Sequence, residues 1–165
     1  MELSELHHTD VGVVVSWIQN SIHRKNWAFS KLNELILSKK IDACIGLLGL
    51  TYKENTHSLK NSPAIALLDK LKNWRVTAYD PAAGLVEAGK NFSRTSNALE
   101  VLNQADVLVL MTPWPEFKKI ATADLLGRMK GNIIIDPYGL LQETELIENG
   151  YQYVTLGKTD KLKTN

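Results

Sequence analysis

The chain has 165 residues, 44% of them hydrophobic and 22% charged, with a formal net charge of +1. That length fits one domain with a sizeable core, and the composition is that of a soluble globular protein. A charge so close to zero excludes any global attraction to nucleic acid or an anionic membrane, and no apolar stretch approaches the ~20 residues of a membrane span.

At the N-terminus, acidic Glu2 and Glu5 stand where a secretory signal would carry positive charge, so a cytoplasmic protein is expected. Residues 1–40 then read as a helical segment of two helices. Val11, Val14, Val15, Ile18 and Ile22 recur at helical spacing with Trp17 beside them, capped by Thr9 or Asp10. Phe29, Leu32, Leu35 and Ile36 share the face of a second helix, with Ser30 as its cap. His7-His8 and His23 lack the spacing of a metal site and read as surface histidines, so no metal is expected.

From Ile41 the texture becomes strand alternating with helix. Ile41 to Leu50 is a continuous apolar run, the mark of a strand covered on both faces. Its single cysteine, Cys44, excludes an intrachain disulfide and reads as a small buried hydrophobe. A polar loop leads to Ser62-Pro63, a cap and first-turn proline, and a helix carrying Ile65, Leu67, Leu68 and Leu71. Further strands are expected at Arg75–Tyr79, Asp106–Met111, Asn132–Ile135 and Tyr151–Val154, and helices at Ser96–Asn103, Glu116–Met129 and Leu141–Glu148. The tail after Gly157 is expected to fray. The alternation implies right-handed crossovers and a doubly wound, mainly parallel α/β sheet over residues 41–165, preceded by the two helices.

Ligands of such sheets lie beyond the carboxyl ends of the strands, which directs attention to the loops after Leu50, Tyr79, Met111 and Ile135. Gly46 and Gly49 precede the first turn, but no third glycine follows and the loop is long and polar, so the dinucleotide fingerprint is incomplete. The glycines read better as places where the chain passes close to a neighbour. Lys53, Lys60, Tyr52 and several hydroxyls beside a helix N-terminus suit a phosphate or sugar diphosphate, the helix end supplying free amides. Composition alone favours the plainer reading, two solvated loop lysines. Asp80-Pro81 reads as a turn, and Trp114 between two prolines as a rigid packing piece.

Gly49-Leu50-Thr51-Tyr52-Lys53-Glu54-Asn55-Thr56-His57-Ser58-Leu59-Lys60-Asn61-Ser62-Pro63 resembles the segment that opens the C-terminal domain of UDP-glucose/GDP-mannose dehydrogenases, Gly-Leu-x-Phe-Lys-x-x-Thr-x-Asp-x-Arg-x-Ser-Pro. The likeness continues in order through Val76–Pro81, Ala105-Asp106, Thr112–Phe117, Ile135-Asp136 and Gly150–Gly157. It implies a Rossmann-like nucleotide-sugar-binding domain over residues 41–165, with residues 1–40 as the end of the family's central dimerisation domain.

By the same resemblance, Tyr52 and Lys53 contact the nucleotide-sugar substrate, and Lys60, normally arginine, reaches toward NAD bound mainly by another domain. Tyr138 stands at the position of a substrate-binding arginine, while His57 and Ser58 replace residues that are often acidic. The family's catalytic thiol, in a Gly-Phe-Gly-Gly-x-Cys-Phe segment, carries the substrate through two hydride transfers to NAD. Neither that segment nor the NAD-binding domain occurs in the 165 residues. The expectation is therefore part of the substrate pocket of an NAD-dependent nucleotide-sugar 6-dehydrogenase, inactive alone. The alternative is a non-catalytic remnant that binds a nucleotide sugar or a partner. The Val11–Ile22 face suggests a homodimer.

Overall fold

The computed structural model describes residues 12–86 and 89–158. The expected cap at Thr9 or Asp10, the His7-His8 pair and the tail beyond residue 158 lie outside the described residues.

One helix, α1 (Gly12–Leu32), replaces the two expected and continues as a π-helical stretch, Asn33–Leu37. Between Ile22 and Phe29 there is neither glycine nor proline, so nothing interrupts the hydrogen-bond ladder. Ser30 therefore sits inside the helix instead of capping one. The helix has two different halves. Ala28, Leu32, Ile36 and Leu37 enter the core, whereas Val13, Val14, Trp17, Ile18 and Ile22 are 46–71% exposed.

Six strands follow: β1 (Cys44–Leu48), β2 (Arg75–Tyr79), β3 (Phe92–Arg94), β4 (Val107–Leu110), β5 (Ile133–Ile135) and β6 (Gln152–Val154). They form one sheet in the order β3-β2-β1-β4-β5-β6, every pair parallel. The intervening helices are α2 (Pro63–Lys70), α3 (Ala98–Val101), α4 (Thr122–Arg128) and α5 (Glu143–Glu148). This is the doubly wound Rossmann-like architecture expected, with the strand order reversing between β1 and β4.

The central strands explain their own composition. Ile45, Leu47, Val107 and Val109 pack on the face covered by α1 and α2, while Leu48, Leu108 and Leu110 pack on the opposite face under α3, α4 and α5. A strand buried on both sides needs apolar residues at every position. Gly46 lets α3 come close, since a Cβ there would lie 3.0 Å from Val101.

Some expected boundaries shift. Ile41 is 88% exposed, so β1 begins only at Cys44. The thiol stands at the open end of the strand, half-buried, not deep in the core. The helix expected over Glu116–Met129 splits into a 3-10 turn, Pro115–Lys119, and α4, because Ile120 turns extended to bury its side chain. β3 has no apolar alternation and was not foreseen. Among the described residues no helix is long and apolar enough to cross a membrane.

Candidate functional site

The carboxyl ends of β1, β2, β4 and β5 form one edge of the sheet, and the loop from Gly49 to Ser62 rises from its centre. Gly49 has φ +90° and turns the chain directly against Thr112; a Cβ would lie 2.5 Å from that residue. Leu50 and Thr51 are then held from several sides. Their amides donate to Asp80 Oδ2 at 2.7 and 2.9 Å, and the Thr51 hydroxyl to the same oxygen at 3.0 Å. The Leu50 carbonyl accepts from Ser62 Oγ, and the Thr51 carbonyl from Thr112 Oγ1, both at 2.7 Å. Beyond this knot the loop opens, with Tyr52, Lys53 and Lys60 all exposed.

Asp80 is more than a turn residue. Its Oδ1 accepts from the amides of Ala82 and Ala83, and its Oδ2 also accepts from the Trp114 indole at 3.0 Å. Burial by itself would raise this carboxyl. The amides of Leu50, Thr51 and Ala82 and the Trp114 indole outweigh it and hold the group below the ordinary carboxylate value. Trp114 is buried, as expected of a packing piece, but its indole also bonds the hub.

A second buried carboxylate organises the loop after β5. Asp136 accepts from the amides of Tyr138, Leu140 and Leu141 and from the Tyr153 hydroxyl. It thereby sets Tyr138, whose hydroxyl donates to the Met111 carbonyl at 3.0 Å.

Tyr52 and Tyr138 both line one open cleft of about 470 Å³, together with Met111, Pro137 and, from α1, Trp17, Lys25 and Trp27. Lys53 and Lys60 are not among its lining residues. Lys25 and Trp27 were missed because they fall in the gap between two helices that are in fact one. A helical projection carried through that gap would have placed Lys25 one turn before Ala28 and Phe29.

The helix end also lacks the free amides that the phosphate reading of this loop called for. Pro63 has no amide hydrogen, Ser62 Oγ accepts from Ala64 and Ile65, and the Ser62 carbonyl accepts from Ala66. A cap that good leaves no first-turn amide for a phosphate. Any phosphate contact must come from side chains.

The edge does not fit a dinucleotide either. In such folds an acid at the end of β2 meets the ribose, yet both Asp80 oxygens face inward onto protein donors. Arg94, beside it, donates to the carbonyls of Asp80, Ala83 and Gly84. Among the described residues no group of histidine, cysteine and acidic side chains could hold a metal ion.

Residues 46–143 match the UDP binding domain of the UDP-glucose/GDP-mannose dehydrogenase family. The chain is 31% identical over 162 residues to a UDP-glucose 6-dehydrogenase of Rickettsia conorii, covering 94% of this chain and 37% of that protein. It is 30% identical over 159 residues to a UDP-glucose 6-dehydrogenase of Rhizobium meliloti, covering 93% and 36%. A solved UDP-D-ManNAc dehydrogenase from Pyrococcus horikoshii shares the fold with a TM-score of 0.72 at 24% identity, over 90% of this chain and 34% of that one. A UDP-glucose dehydrogenase from Pyrobaculum islandicum does so with a TM-score of 0.67 at 19% identity, over 82% and 31%. The chain thus spans about a third of the length of these relatives, corresponding to their C-terminal part.

Proposed function

The chain belongs to the UDP-glucose/GDP-mannose dehydrogenase family, and from that premise we propose that it forms the nucleotide-binding wall of an NAD-dependent UDP-sugar 6-dehydrogenase. The observation that carries this reading is the cleft of about 470 Å³ lined by Tyr52 and Tyr138 from the sheet edge and by Lys25 and Trp27 from α1. Aromatic and apolar surface with one cation suits a nucleobase joined to a phosphate.

In this reading Tyr52 and Tyr138 contact the nucleotide within the cleft, and Lys53, next to Tyr52 but outside the cleft lining, meets the part of the nucleotide sugar that extends beyond it. Lys60, further along the same loop, faces NAD held by protein outside these 165 residues. No hydride step is assigned to this chain, whose own sheet edge does not fit the dinucleotide. Residues 1–40 belong to a central helical domain, and the exposed apolar stripe of α1 joins two copies. The cytoplasm, where nucleotide sugars are made, is the proposed location. Tyr138, a neutral residue at a position of family arginine, favours one second reading, a binding domain that no longer serves catalysis.

The test is a titration of the 15N-labelled chain with UDP, followed by amide chemical shifts. Perturbations should centre on Tyr52, Tyr138 and Lys25. Absence of perturbation at millimolar UDP, or changes confined to the amino end of the sheet, would remove the proposal.

A further inference from the structure

The dipeptide Leu50-Thr51, immediately before Tyr52, has all four of its backbone polar groups bonded by side chains. Asp80 takes both amides, Ser62 bonds the first carbonyl and Thr112 the second. Thr51, Ser62, Asp80 and Thr112 are all buried. They come from β1's own loop, the cap of α2, the end of β2 and the end of β4, so four segments meet in one knot of polar groups. Ordinary loop backbone is bonded to water or to its neighbours in sequence. A stretch bonded this completely can change conformation only by breaking several buried hydrogen bonds at once.

We infer that Asp80 is a positioning residue for ligand binding: as hub of this knot it fixes the stem from which Tyr52 and Lys53 project. The inference rests on the reading that Tyr52 and Lys53 meet the nucleotide. The knot acts by pre-organisation. A binding side chain on a mobile loop loses conformational freedom when it closes on a ligand, whereas one on a fixed stem has already lost it on folding. Asp80 Oδ2 alone gathers the Leu50 amide, the Thr51 amide, the Thr51 hydroxyl and the Trp114 indole, and Oδ1 fastens the loop after β2. The strand-two acid that reads ribose in other sheets is here turned inward, where it shapes the neighbouring loop. An asparagine would place an amide NH2 against one of these donor sets and leave donors facing donors.

Stability alone must be separated from positioning. Lys40→Met is the control: it breaks the Lys40–Asp106 ion pair (2.6 Å) at the amino end of the sheet, far from the knot. UDP affinity by calorimetry, and amide hydrogen exchange at Tyr52 and Lys53, are measured for the full chain, Asp80→Asn, Thr51→Val and Lys40→Met, at a temperature where each is folded. Asp80→Asn should weaken UDP binding at least about tenfold and speed exchange at Tyr52 and Lys53. Thr51→Val, which removes a single hydroxyl from the hub, should do both to a lesser degree. It carries the test if Asp80→Asn does not fold. Lys40→Met should lower the melting temperature and change neither readout. Knot variants that melt earlier, yet bind UDP within about twofold of the parent with unchanged exchange, would overturn the inference. If the parent binds no UDP, the site reading fails. Exchange then decides alone: faster exchange at Tyr52 in Asp80→Asn than in Lys40→Met supports the fixed stem, and equal exchange refutes it.

Discussion

The Tyr138 hydroxyl donates to the Met111 carbonyl oxygen at 3.0 Å, tying the loop after β5 to the end of β4 in the lining of the cleft. Tyr138→Phe removes that bond and leaves the ring. It should lower stability by about 1 kcal/mol, the net worth of one such hydrogen bond, read as a shift in urea midpoint. Tyr138→Arg should instead tighten UDP binding by about tenfold, through a charge-assisted contact with phosphate. Unchanged affinity in the arginine variant would place this position away from the phosphates.

NAD should not bind the chain on its own. Asp80 has no oxygen facing outward for a ribose hydroxyl, and the long Gly49–Ser62 loop replaces a tight glycine turn. Calorimetric titration with NAD checks this, and saturable binding in the micromolar range that is lost in Asp80→Asn would contradict it.

Stability should fall at both ends of the pH scale, for different reasons. For Asp106, burial would raise the carboxyl, but the Cys44 amide and Lys40 outweigh it and hold it below 3.8, as the knot does for Asp80. A depressed folded value means that the unfolded chain binds more protons. This contribution is therefore present above about pH 4 and is lost as the pH falls through the folded values. Lys40 is raised above 10.5 chiefly by its hydrogen bond to Asp106, and Tyr79, Tyr151 and Tyr153 are raised above 10.0 chiefly by burial. Their contribution is present below about pH 10 and is lost as the pH rises through the folded values. Urea melts from about pH 3 to about pH 11 should show both limbs. Asp80→Asn should flatten the acid limb, and an unchanged limb would show that the carboxylate is not held as described.

Leu32 is fully buried where α1 meets α2 and the sheet. Leu32→Ala should destabilise by about 2–5 kcal/mol, while Trp17→Ala, on the exposed half of the same helix, should alter the isolated domain by less than about 0.5 kcal/mol. Thermal melts of the two variants separate a docked helix from a loosely attached one. Similar small losses would mean that α1 is not part of the packed unit.

Much of the fold could be read from the chain because its strong signals are local. The run from Ala43 to Leu50 and the stretch Val107–Leu110 are apolar at every position, which only a doubly covered strand requires. Ser62-Pro63 marked the start of α2 for the same reason: cap and proline act within one turn. Long-range effects were hidden. Phe92–Arg94 becomes a strand only because β2 is beside it, and nothing in Asp80-Pro81 reveals that donors from Leu50, Ala82 and Trp114 converge on the carboxylate. At the site, Tyr52 and Tyr138 were legible through their place in a family pattern, and the structure brings them into one cleft. Lys25 and Trp27 carried no motif and depended on recognising α1 as a single helix.

The central claim is that the Tyr52-Lys53 end of the first loop meets the nucleotide, and the most direct measurement is UDP affinity after removing each loop lysine. Calorimetry of the parent, Lys53→Ala and Lys60→Ala should show a loss of about tenfold or more for Lys53→Ala, the worth of one charge-assisted hydrogen bond. Lys60→Ala should change affinity by less than about threefold, because its proposed contact is with NAD and not with UDP. Equal losses would mean diffuse attraction of an anion to two exposed lysines, and a larger loss for Lys60→Ala would contradict the account outright.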